Sequence, residues 1–397
     1  MHRTLLLGAG KIGQMIAAFL GGAGDFQLRV GDVDPAALKR LREVVNVETV
    51  SLNVDDSAAF DGAFEGCQSV ISALSFRCNP AVAAAALRAG ASYFDLTEDI
   101  ATARTIQHLA AAARPGQIFM PQCGLAPGFI TIVAYDLTKR FTKLDRVHMR
   151  VGALPQFPSN ALNYNLTWST DGLINEYCNP CQAIHEGRMI DALPLDGLES
   201  FSLDGIHYEA FNTSGGLGTL CETLDGRVRE LNYRTIRYRG HRDLMAFLLQ
   251  DLRLSERRDL IKDILERAIP ITLQDVVVIF SNVTGEQDGQ FVQWSDARKI
   301  YNQKIAGRMW SAIQITTAAS VCAALDLHVA GKLPQRGFVQ QEQIDLSQFL
   351  ENRFGRHYNC QLASQFMLKA NELGGVGWDK LTASAQRAEA PAHHEEA

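Results

Sequence analysis

Thr4-Leu5-Leu6-Leu7-Gly8-Ala9-Gly10-Lys11-Ile12-Gly13 is an apolar run that breaks into a glycine turn and continues as a helix carrying Met15, Ile16 and Phe19 at helical spacing. Nineteen residues after Gly13, at the end of a second apolar stretch, stands Asp32. A lone G-x-G-x-x-G is weak evidence. Placed between a strand and a helix and followed by an acid at this interval, it reads as a dinucleotide site. Gly8 makes the tight turn, Gly10 admits the pyrophosphate, and Gly13 lets helix and strand pack closely. The backbone N–H groups of Lys11 and Ile12 open the helix, where unpaired donors favour a phosphate. Asp32 suits the two adenosine ribose hydroxyls and repels a 2′-phosphate, so NAD is expected and NADP disfavoured. Asp55, after the third strand, is a candidate adenine neighbour or a plain turn residue.

Working outward, strand and helix patterns alternate to about residue 120. Strands are expected at Thr4–Leu7, Phe26–Val33, Thr49–Val54, Ser69–Leu74, Tyr93–Leu96 and Ile118–Pro121, with helices between them. Such a series predicts an α/β fold: a Rossmann-type doubly wound parallel sheet. After Gly124 the rhythm changes. Val147–Ala153, Tyr164–Trp168, Tyr208–Phe211, Val228–Tyr238, Asp275–Val283 and Gln290–Ser295 read as strands of an inserted α+β domain. Helices are expected over Leu244–Leu252, Asp259–Ala268 and, as one long apolar element, Lys304–Ala330. The resulting division is 1–124 plus about 304–345 for the NAD-binding domain, 125–303 for a second domain expected to supply substrate contacts, and 346–397 for an extension with a mobile tail from about Gln386.

The 397 residues carry 38 basic and 44 acidic side chains, a net charge of −6. That balance argues against bulk attraction to nucleic acid or an anionic membrane. No apolar run approaching the about eighteen residues of a membrane span is expected, and the early first strand leaves no room for a signal peptide. A cytoplasmic protein is expected. Eight cysteines are too few for a disulfide scaffold. Cys178-Asn179-Pro180-Cys181 has no second ligand pair nearby and reads as a turn, and His393-His394 reads as solvated tail, so no metal site is expected.

In open parallel sheets, ligands bind beyond the carboxyl ends of the strands. That places Ser75 and Phe76 beside the nicotinamide and brings Asp95, Thr97 and Glu98 to the same rim. Thr97 and Asp99 read equally well as helix caps. Between Arg227 and Arg258 stand nine arginines against four acids. Most read as solvated surface, but Arg237 and His241 fall at a strand end, where a guanidinium fork suits a carboxylate. Asn212-Thr213-Ser214-Gly215-Gly216-Leu217-Gly218-Thr219 reads as a loop or a backbone cradle for a polar ligand, with Thr213 a candidate substrate contact.

Gly8–Gly13, Gly124-Leu125-Ala126-Pro127-Gly128, Arg150-Val151-Gly152-Ala153-Leu154-Pro155, Leu162–Ser169 and Thr235–His241 together resemble the saccharopine dehydrogenase superfamily, in order, from residue 1 to about 330. They are most similar to its lysine 6-dehydrogenase branch. The resemblance implies a Rossmann domain completed by the C-terminal helix, a middle domain for substrate binding and dimerisation, and hydride transfer at a carbon bearing nitrogen. Saccharopine reductases of the family usually have aspartate where this chain has Ala126 and cysteine where it has Val151, which favours the lysine branch. The expected reaction is NAD-dependent oxidative deamination of the terminal amine of L-lysine, in a homodimer or higher oligomer. Glu98 is the expected base, His241 the alternative base, and Tyr164 the residue that orients the amine. Arg150 or Arg237 is expected to hold the substrate carboxylate. The alternatives are a saccharopine or carboxyspermidine-type dehydrogenase acting on a secondary amine, and an NAD-binding regulatory protein without catalysis.

Overall fold

The computed structural model describes residues 1–359 and 364–369. Its first sheet has seven parallel strands in the spatial order Gly337–Phe338, Ile118–Met120, Ser92–Asp95, Ser69–Ser72, His2–Leu7, Phe26–Asp32 and Glu48–Ser51. Chain direction across the sheet reverses between His2–Leu7 and Ser69–Ser72, so the topological switch point lies there. Leu5, Leu6, Val30, Val70 and Ile71 are buried because helices cover both faces.

The second sheet runs Glu199–Leu203, Ile206–Asn212, Glu230–Tyr238, Lys143–Pro155, Asp275–Gln287, Gln290–Tyr301 and Ser364–Lys369. Its pairs are antiparallel except Glu230–Tyr238 against Lys143–Pro155. The run Val276 to Phe280 is buried on successive residues, not alternate ones. Both faces of that central strand are therefore covered, one of them by the apolar helix Phe129–Thr138.

The chain returns to the first domain through the helix Ala312–Val329, which packs on the glycine-turn helix Lys11–Gly22. Its start is specified three ways. Ser311 and Gln314 form a capping box, and Asp275 accepts from the backbone N–H groups of Ala312 (2.5 Å) and Ile313 (3.0 Å). Gln314 also donates to the carbonyl of Lys11 at 3.0 Å. These 18 residues are long and apolar enough to cross a membrane, contrary to the expectation that no such run exists. With 83% of the helix buried, it is a core element of this fold.

Four local expectations are corrected. The helix starts at Ala312, not Lys304, because residues 303–310 form a short hairpin turning at Ala306 and Gly307, both with positive φ. Tyr164–Trp168 is a loop with one isolated bridge, Leu166 to Ile271. The Asn160 side chain holds the Tyr164 carbonyl at 2.6 Å, and Asn163 takes a left-handed turn. Leu244–Leu252 is the helix His241–Ala246 running into a π-helical turn, Phe247–Asp251. Residues 346–358 are integral to the core: the Tyr358 ring stacks on Phe129 and its hydroxyl donates to the Thr316 carbonyl at 2.7 Å. The tail from Gln386 and His393-His394 lie outside the described residues.

The C-x-x-C segment is a turn, as expected. The helix Thr170–Cys178 ends there and the strand Cys181–His185 begins, with both thiols free. Burial pushes the Cys181 thiol up to about 12, which disfavours the thiolate.

Candidate active site

A cleft of about 1040 Å³, including its mouth, lies at the carboxyl ends of the parallel strands. One wall comes from the first domain and the segment that leaves it: Ile12, Ala73 to Phe76, Leu96 to Glu98, and Gly124 to Ala126. The facing wall carries Val151, Trp168, Asp171, Glu176, Tyr233, Thr235 and Arg237 from the second domain. Ile313 and Thr317 of the returning helix close the bottom.

The glycine turn fits a dinucleotide. A Cβ on Gly13 would meet the Gly8 carbonyl oxygen at 1.9 Å, so only glycine packs there. A Cβ on Gly10 would meet no protein atom within 4 Å, and the backbone is left open to a phosphate. Asp32 is held at this turn, accepting from the N–H groups of Ala9 (2.6 Å) and Asp34 (2.8 Å). Its spare lone pairs suit ribose hydroxyls. Lys11 is half-buried beside the turn, and burial lowers its amine pKa. Ser75 and Phe76 reach the cleft as expected. Asp55 sits in an exposed turn whose backbone N–H donates to Asn53.

Glu98 also reaches the cleft. Burial raises its carboxyl pKa to about 7. Asn175 donates to it at 3.4 Å. Behind it, the glycine-rich loop 212–219 acts as a buttress. A Cβ on Gly215 would meet the Glu98 carbonyl oxygen at 2.2 Å, and the Ser214 N–H donates to the Glu176 carbonyl at 3.0 Å. Thr213 bonds Thr235 at 2.7 Å, and it is Thr235 that faces the cleft. Asp95 is fully buried below the rim, not on it. It accepts from Thr97 N, Gln122 N, Asn79 and the Tyr93 hydroxyl, tying two strand-end loops to the start of the helix Asn79–Ala89. Asp99 caps the helix Ile100–Ala110, accepting from Thr102 N at 2.7 Å, while Thr97 lines the cleft.

Arg237 is buried in the opposite wall. Its Nε donates to the Tyr177 hydroxyl (2.9 Å) and its Nη1 to the Ile236 carbonyl (2.9 Å), while its plane lies 5.1 Å from the Tyr164 ring centre. Nη2 has no acceptor among the described residues and remains for a ligand. Tyr164 therefore supports Arg237 from behind and does not line the cleft. His241 is likewise behind the wall. Burial and the Arg237 charge lower its pKa to about 3, in place of the expected useful range for a base. Arg150 does not face the cleft either: it forms a bidentate pair with Glu199 and donates to Asn282 at 3.2 Å.

The sequence reading did not single out Glu176. It lies on the helix Thr170–Cys178, three residues after Leu173, on the buried side with Leu173 and Tyr177. A carboxylate at a core position of an amphipathic helix was the available signal. Its side chain is 7% exposed, lines the cleft and has no hydrogen-bond donor among the described residues. Burial and the nearby Glu98 push it well above the usual carboxylate range, and Arg237 pulls the other way.

Residues 4–119 match the family model of the saccharopine dehydrogenase NADP binding domain, and residues 124–356 that of the saccharopine dehydrogenase C-terminal domain. Among solved structures, apo saccharopine dehydrogenase (L-Glu forming) from Saccharomyces cerevisiae aligns with a TM-score of 0.76 at 18% identity, over 93% of this chain and 100% of that one. A probable dehydrogenase from Thermotoga maritima aligns with a TM-score of 0.43 at 10% identity, over 93% and 99%. The yeast enzyme supports the fold and the two family models cover both domains. With a glycine turn and acid that fit a nicotinamide dinucleotide, this NAD(P)-dependent oxidoreductase belongs to the saccharopine dehydrogenase family.

Proposed function

We propose that the chain oxidises the terminal amine of L-lysine with NAD, giving 2-aminoadipate 6-semialdehyde, which cyclises, and ammonia. One observation carries this reading: a half-buried acid with a carboxyl pKa near neutrality and a buried arginine line the same cleft beside the dinucleotide turn. Ala126 and Val151 both line this cleft, so it has no side-chain acid or thiol at those two positions and Glu98 takes the proton-transfer role. The bound nicotinamide supplies the hydride acceptor. Glu98 takes a proton from the substrate ammonium, freeing the nitrogen lone pair that drives hydride loss from the adjacent carbon. Arg237 holds the α-carboxylate through its free Nη2, and fixing that end positions the reacting carbon. The lone Asp32 carboxylate favours NAD over NADP.

The test is a substrate panel on the full-length protein. Lysine, saccharopine and carboxyspermidine are each offered with NAD and with NADP, and reduced nicotinamide is followed by absorbance. Turnover of lysine with NAD is expected. Turnover confined to a secondary amine assigns the saccharopine or carboxyspermidine chemistry instead. Cofactor binding without turnover on any amine assigns a regulatory role.

A further inference from the structure

Glu98 and Glu176 approach the same cavity from different domains, one from the loop after the strand Ser92–Asp95 and the other from the helix Thr170–Cys178. Glu98 raises the carboxyl pKa of Glu176, while the acids that bear on Glu98 are Asp99 and Asp95. They are not equivalent. Glu98 has a donor in Asn175, while Glu176 is nine-tenths buried with none. A mostly buried carboxyl that opens on the cleft without a protein donor is left for a ligand that brings one. The partner it lacks is a hydrogen-bond donor, and a cationic one would also draw its raised carboxyl back to the ionised form.

We infer that Glu176 is the seat of the substrate's cationic nitrogen, a second carboxylate that anchors the ammonium while Glu98 takes its proton. This rests on the amine-oxidation reading and adds a residue to it. When the ammonium enters, one N–H donates to Glu176 and another to Glu98. The N–H bond to Glu98 then breaks, the proton going to the Glu98 oxygen and the electron pair remaining on nitrogen. Glu176, which gives up its proton to solvent as the ammonium enters, is then ionised beside the nitrogen, where positive charge returns as the carbon is oxidised. Division of labour between two acids gives the iminium a counter-ion that Glu98, once protonated, no longer provides.

Arg237 and Tyr233 on the strand Glu230–Tyr238, Tyr164, Tyr177 and Cys181 also lie within electrostatic reach of Glu176, and Asp95 and Asp99 of Glu98. The carboxyl carbons are therefore followed individually. In full-length protein carrying glutamate labelled with ¹³C at Cδ, signals are assigned with Glu98→Gln and Glu176→Gln. In the protein without substrate, Glu98→Gln is expected to lower the Glu176 midpoint by about one pH unit, since a like charge is removed. Glu176→Gln is also expected to weaken lysine binding at least about tenfold with NAD affinity unchanged, and Glu176→Asp to recover part of that loss. An unmoved Glu176 midpoint in Glu98→Gln, or equal lysine affinity in Glu176→Gln, overturns the assignment. A wild-type protein that shows coupled midpoints but does not bind lysine overturns the lysine reading and leaves the carboxylate pair standing.

Discussion

The Tyr177 hydroxyl lies 3.0 Å from Nε2 of His241. The chemistry of the neighbours fixes the direction of this bond. Leu162 O can only accept, so His241 Nδ1 carries the proton it donates at 2.9 Å. The ring is neutral above a pKa of about 3, so Nε2 accepts from Tyr177, whose oxygen in turn accepts from Arg237 Nε. The relay aims the guanidinium into the cleft. Tyr177→Phe removes one acceptor from a buried cation and leaves the cleft wall intact. We expect KM for the amino acid to rise about tenfold with a smaller change in kcat, measured by steady-state kinetics. Equal losses in kcat and kcat/KM would assign the relay to the chemical step.

Glu98 must be ionised to take a proton, and its carboxyl pKa is raised to about 7. The rate at limiting substrate should therefore rise with pH through about 7 and level off above it. Glu98→Gln should lower turnover about a hundredfold to ten-thousandfold. An undiminished rate in that variant removes Glu98 from the mechanism. His241 should contribute no limb between pH 5 and 8, since it stays neutral throughout that range.

Gly10 and Gly13 of the turn predict opposite phenotypes. Gly13→Ala drives a Cβ into the Gly8 carbonyl, so the variant should lose thermal stability. Gly10→Ala meets no protein atom, so its melting temperature should match wild type. Its methyl occupies the approach of the pyrophosphate, and titration calorimetry should show weaker NAD binding. Normal affinity in Gly10→Ala would place the phosphates elsewhere.

Asp275 carries a pH-dependent stability term. Burial raises its folded pKa to about 6, above the unfolded value of 3.8. Between these values the native state holds a proton that the unfolded chain has released, so stability from this group falls as pH rises from about 4 to 6. Asp275→Asn loses an acceptor for the Ala312 and Ile313 N–H groups at every pH, but it does not titrate. The gap between variant and wild type should narrow from pH 4 to pH 7, by up to about 3 kcal/mol. Urea midpoints at the two pH values measure it, and a constant gap would mean that Asp275 does not titrate in this window.

The first domain was legible because its signals are local. Strand, glycine turn, helix and acid lie within 32 residues, and periodicity alone orders them. Glu98 was legible because it follows a strand at the expected end of the sheet. The second domain's contribution was not, because it depends on pairings distant in sequence. Arg150 and Arg237 look alike in the chain, and Glu199, 49 residues after Arg150, decides which of them is already paired. Tyr164 and His241 were placed at the site by their motifs, yet they act one layer behind it through Arg237. Glu176 was hidden in a helix with no apparent start signal until Ser169 is seen accepting from Gly172 N.

The strand Gly337–Phe338 lies beside Ile118–Phe119, more than two hundred residues earlier. During synthesis, a nascent chain that has not yet emerged past Phe338 leaves the backbone groups on that flank of Ile118–Met120 without their neighbour. The nucleotide domain therefore cannot finish before the domain inserted within it has been made. Folding of the two halves is coupled by chain connectivity, and a ribosome stalled in the middle third would display an unfinished sheet edge to chaperones.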